Sequence, residues 1–160
     1  MISEISEITI FTAISLILFL WSCEDIEKRS VKSRELAAVL AVMGLRYVFM
    51  NMNDIRELTL RMAIFLAVAG GLAVTSFMTR GGIGGADIIV VLILYLYLGS
   101  SGFLVAGIVA VLAGAFFAVG MIAASFFGKG PRRMISGVRI PFIPFLFLGY
   151  AVGRGMESVI

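Results

Sequence analysis

Two aspartates stand where a carboxylate is costly and therefore informative. Asp87 follows Gly84-Gly85-Ala86 and opens the apolar run Ile88 to Leu98, while Asp25 belongs to the Glu24-Asp25 pair that closes the first apolar run. If both runs cross a membrane, the two acids meet at helix ends on one side of it. Two carboxylates held close cannot both ionise cheaply, so they share a proton. One group can then take a proton from water while the other gives one to a carbonyl oxygen, which is the chemistry of an aspartyl protease. Each acid also has a plainer reading. Asp87 could simply cap the first turn of its helix, where the amide end favours an acid. Asp25 lies within Glu24-Asp25-Ile26-Glu27-Lys28-Arg29, and a mixed charge cluster after an apolar run is commonly a solvated anchor.

The rest of the composition removes most competing chemistries. The chain has no histidine and one cysteine, Cys23. That excludes the His-Glu-x-x-His metalloprotease, the Ser-His and Cys-His nucleophile pairs, cysteine zinc clusters and an internal disulfide. No serine and lysine lie together on an apolar helix. No metal and no cofactor are expected.

The acids must be positioned by membrane helices. Of 160 residues, 61% are hydrophobic and 14% charged, with a mean hydropathy of +1.08; a soluble domain has about half and about a quarter. The expected fold is an all-α membrane protein, one domain over residues 1–160, with six transmembrane helices at 5–23, 36–52, 60–78, 84–100, 102–127 and 139–155. The N-terminus, Met1 to Glu7, is acidic and lacks the basic region of a cleaved signal peptide, so the first span is expected to be retained. Lys28, Arg29, Lys32, Arg34, Arg80, Lys129, Arg132, Arg133 and Arg139 fall on one side of these spans, and Arg46, Arg56, Arg61 and Arg154 on the other. By the positive-inside rule the first side is cytoplasmic and both termini are extracytoplasmic. The cell membrane is the expected location and lipids the expected surroundings, with the basic segment from Lys129 to Arg139 attracted to anionic lipid. The net charge of +3 is then a topology signal and gives no case for nucleic-acid binding.

Asp25 and Asp87 both fall on the cytoplasmic side. If Gly99–Gly102 marks the outer boundary, Asp87 lies about 12 residues inward, or about 18 Å, inside an apolar layer of about 30 Å. An acid at that depth belongs against a bundle interior or a water cavity. Gly81, Gly82, Gly84 and Gly85 form a glycine-rich approach that could admit an extended substrate backbone or could be an ordinary loop. Gly70-Gly71 and Ala110, Gly114 and Ala118 allow close helix packing, and Pro141 and Pro144 suit the start of the last helix.

Here the motifs resemble a known family. Gly84-Gly85-Ala86-Asp87 is similar to the Gly-x-Gly/Ala-Asp motif of the type IV prepilin and preflagellin (archaellin) peptidases, the GxGD membrane aspartyl proteases. Asp25-Ile26-Glu27-Lys28-Arg29 is similar to that family's first-aspartate pattern, and Pro141-Phe142-Ile143-Pro144-Phe145 to the element opening its last span. The three fall in family order. The resemblance implies that Asp25 and Asp87 are catalytic, that Gly84, Gly85, Ala86, Pro141 and Pro144 shape the site or bind substrate, and that the chain is of the short archaeal-like form. It further implies that the leader of a prepilin or archaellin precursor, a short basic segment before an apolar helix, is cut at the cytoplasmic face. Glu24, Glu27 and Glu35 lie on that face and could attract a basic leader or pair with Lys28, Arg29 and Lys32. The chain departs from the family in having Val31-Lys32-Ser33 where Ile-Pro-Asn is common, and Ile89 where a lysine often follows the second aspartate. Two other readings remain open to the residues alone: a small proton-coupled transporter, and a pilin-binding scaffold without catalysis. The oligomeric state is left undetermined.

Overall fold

A computed structural model describes residues 2–28, 31–78, 84–127 and 141–157. They form five helices: α1 (Ile2–Lys28), α2 (Ser33–Asn51), α3 (Ile55–Met78), α4 (Gly85–Phe127) and α5 (Ile143–Glu157). The all-α expectation is met, but the six separate spans are not. Three helical stretches are long and apolar enough to cross a membrane: Glu7–Lys28, Ile55–Met78 and Gly85–Ala123. In α2, Arg34, Glu35 and Arg46 interrupt a helix of 19 residues, and α5 has only 15.

The fourth and fifth expected spans are two helical arms of α4 that meet at a kink, with Gly99 as the non-helical residue between them. Gly99 has φ 66° and ψ −171°, a combination essentially confined to glycine. A straight helix of 43 residues would be about 64 Å long, twice the apolar thickness of a bilayer. The contacts show that the chain turns back instead. Beyond the break, Gly102 and Ala106 lie against Gly153 and Gly149 of α5. Further on, Gly114 and Phe117 lie against Phe142 and Phe145, and Ile143 meets Asp25. Both ends of α4 thus reach the end of the bundle that holds the acids.

The first arm of α4 is central. Val90, Leu92, Ile93, Leu94, Tyr95, Leu96 and Leu98 are all buried, which explains a run that is apolar on every face. Around it pack Ile14, Leu18 and Trp21 of α1, Leu36 of α2, and Ile143, Leu146 and Tyr150 of α5. α3 is peripheral and has no buried residue. Large apolar side chains on the outside, such as Phe77 and Phe116, suit a lipid solvent. Hydroxyls on the helices return their hydrogens to the preceding turn, as Thr12 does to the Ile8 carbonyl and Ser22 to that of Leu18, so they need no water.

Candidate active site

α1 runs unbroken past the end of its apolar stretch, so Asp25 sits in the last helical turn. Ile14, Leu18, Trp21 and Asp25 are spaced four, three and four residues apart and share one buried stripe. Asp25 is 9% exposed, while Glu27 and Lys28 of the same cluster are exposed. The cluster is therefore divided: its charged exterior is a solvated anchor, and Asp25 is turned into the bundle. Burial of an acid needs compensation, and α5 supplies it. The Ile143 N–H donates to Asp25 Oδ2 at 3.4 Å, and the Phe142 N–H points to the same carboxyl. The first amides of any helix lack internal partners. In α5 the Phe142 carbonyl accepts from Phe145 and Leu146, while Pro141 and Pro144 have no N–H at all. Phe142 and Ile143 carry the N–H groups left between the two prolines, and Asp25 accepts from Ile143 with the Phe142 amide beside it. Pro141 precedes the helix and Pro144 is its second residue, as expected for the start of α5, so both stand beside Asp25.

Asp87 enters from a different element. It lies in the first turn of α4, half-buried, with the Gly84 N–H directed at its carboxylate. The capping role is real, since the Gly84 carbonyl also accepts from Ile88 N–H at 3.2 Å. It is not the whole account, because the Asp25 charge lies close enough to repel that of Asp87. Gly84 lies flush against the acid: a Cβ there would stand 2.9 Å from Asp87 Oδ2. Gly85 begins the helix with open space where a side chain would be. Ala86 is half-buried and packs on the core. Neither Gly84 nor Gly85 has a positive φ; among the described residues, Gly99 is the glycine that does. Gly81, Gly82 and Arg29 lie outside the described residues.

The structure thus brings Asp25, Asp87, Gly84, Pro141 and Pro144 to one end of the bundle. Sequence reasoning passed over the amides of Phe142 and Ile143, although two prolines flanking two N–H groups were a readable signal. Asp25 and Asp87 each meet the amide end of a helix, α5 and α4 respectively.

Comparison with known proteins gives the family. No curated protein and no solved structure matches the chain. The profile of the type IV leader peptidase family matches residues 12–119, a segment that contains Asp25 and Asp87 and ends before Pro141. That match covers more than half of the sequence, and with three helices fit to cross a bilayer it shows a membrane protease that belongs to the type IV leader peptidase family.

Proposed function

We propose that the protein is an aspartyl endopeptidase that removes the N-terminal leader of type IV prepilin-like or preflagellin precursors at the cytoplasmic face of the cell membrane. The observation that carries this reading is the meeting of Asp25 and Asp87 at one end of the bundle. They arrive from helices far apart in sequence, and neither acid is solvated in the ordinary way. Family membership favours this reading over a transporter, and the cleavage test below separates it from a scaffold without catalysis.

In the proposed reaction the pair holds one proton between two carboxyl groups. The ionised group takes a proton from a water molecule, whose oxygen forms a bond to the scissile carbonyl carbon. The protonated group gives its proton to the carbonyl oxygen. On collapse of the tetrahedral intermediate the C–N bond breaks, the departing amine takes the proton of the pair, and one hydroxyl of the intermediate returns its proton to the pair, which again holds one. A helix amide end stands at each acid, so neither is singled out as the base, and the pair acts as a unit.

Orientation follows from charge. Lys28, Lys32 and Arg34 lie at the end that holds the acids, and the excess of lysine and arginine that the sequence assigns to that side supports a cytoplasmic orientation for it. Glu7 of α1 and Arg154 of α5 meet at the opposite end, so the two termini share a side, and in this reading that side is extracytoplasmic.

The test is leader cleavage in membranes by Asp25→Asn and Asp87→Asn, assayed on a panel of leader-bearing precursors. Each substitution is expected to lower kcat at least about 10³-fold, the scale seen when a member of a catalytic unit is removed. Unchanged cleavage by either variant would overturn the mechanism.

A further inference from the structure

Next to the buried stripe of α1 that carries Asp25 runs a second, largely open stripe, Ile17, Leu20, Trp21 and Glu24, again at helical spacing. This stripe faces Glu35 and Val39 of α2 across a groove of about 200 Å³. Trp21 belongs to both stripes, so the groove lies directly beside the candidate acids. Its floor is apolar and runs about 10 Å from Ile17 to Glu24. Its mouth is acidic and sits at the end where Asp25 lies, since Glu24 is the neighbouring residue. The volume equals that of about seven water molecules, which is room for a few side chains rather than a whole helix.

The two mouth carboxylates act at one place. Lys32, at the start of α2, is held above its ordinary pKa first by Glu35 and then by Glu24. Each carboxylate is met by a lysine of its own neighbourhood: Lys28 Nζ lies 3.1 Å from Glu24, and Lys32 Nζ lies 3.1 Å from Glu35. Those lysines are 62% and 70% exposed, and such surface pairs contribute little. An incoming cation that also buries apolar surface can displace them. Glu27, by contrast, is exposed and does not line the groove.

We propose that this groove is a substrate subsite, resting on the peptidase reading above, that seats one lysine or arginine side chain between Glu24 and Glu35. The apolar side chains next to that cation lie along Ile17, Leu20, Trp21 and Val39. Because Glu24 adjoins Asp25, the seated cation sets which peptide bond reaches the acids. Glu24 and Glu35 are therefore specificity-determining residues, and the groove measures the distance from a basic residue to the scissile bond.

Binding tests the subsite separately from catalysis. The probes are a synthetic peptide with one lysine immediately ahead of an apolar helix, and its glutamine counterpart, in neutral-lipid vesicles with the full chain. The double variant Glu24→Gln, Glu35→Gln is expected to weaken the lysine peptide about tenfold while leaving the glutamine peptide within about twofold. Glu27→Gln removes the same charge off the groove and is expected to leave both affinities unchanged. Val39→Phe fills the floor and is expected to weaken both peptides. Equal losses for the two peptides, or an equal effect of Glu27→Gln, would overturn the subsite. Retained cleavage by Asp87→Asn would overturn the catalytic reading alone, because the affinities are read without it.

Discussion

At the residue scale, the placement of Asp87 depends on an atom that is missing. With a Cβ at position 84 only 2.9 Å from Oδ2 and 3.6 Å from Cγ, the carboxylate would have to move. Gly84→Ala is therefore expected to lower kcat for leader cleavage by about 10–100-fold, since a displacement of about 1 Å costs on that scale. Thermal unfolding should change little, because Gly84 is exposed and precedes the helix. Wild-type kcat in that variant would show that Asp87 is positioned by something else. Asp25 is held in a complementary way, by amides that the two prolines of α5 leave free.

Among elements, α4 and its contact with α5 carry the architecture. Gly99 joins the two arms at φ 66° and ψ −171°, where a side chain costs about 1–3 kcal/mol. Gly99→Ala is expected to lower stability by about that amount in chemical unfolding, with no side-chain clash, since nothing lies within 4 Å of the added Cβ. Gly149 fails for a different reason. A Cβ there would overlap the Ala106 carbonyl oxygen, and at Gly153 it would come within 2.8 Å of the Gly102 carbonyl oxygen. Small residues let the two backbones touch, and Tyr150 between them is 1% exposed. Gly149→Ala is expected to cost about 1–3 kcal/mol by overpacking and to loosen α5, whose first amides hold Asp25. Loss of activity together with stability would check that link; a variant as stable as the wild type would refute the close approach.

On the scale of the whole molecule, the end away from the acids is closed by charge. Glu7 of α1 accepts from Arg46 of α2 at 2.6 Å and lies 3.8 Å from Arg154 of α5, with Arg154 over the Tyr97 ring at 5.8 Å. One carboxylate thus ties three helices to the first arm of α4. Arg46 and Arg154 are about a quarter and a third exposed, so their loss of a partner is only partly relieved by water. Glu7→Gln is expected to destabilise by about 1–2 kcal/mol, read as a lower melting temperature in detergent, with leader cleavage at low temperature retained. A fall in cleavage without a fall in melting temperature would show that this end acts on the acids directly.

Much of this protein was legible in its sequence because a bilayer imposes few options. Apolar runs of sufficient length must be helices, missing histidine removes most hydrolytic chemistry, and an acid at the edge of an apolar run demands a partner. The matches at Asp25, Asp87 and Pro141-Phe142-Ile143-Pro144-Phe145 placed the candidate site before any fold was known. What the sequence could not contain was relative position. The break falls at Gly99, inside the expected fourth span, because one glycine conformation suffices to turn α4 back. Asp25 changes from a surface anchor to a buried acid because α5 presents its amide end to it. A dipole argument from one helix could not foresee the dipole of another. Local chemistry was written along the chain, while burial and the company of each charge arose only when helices distant in sequence packed together.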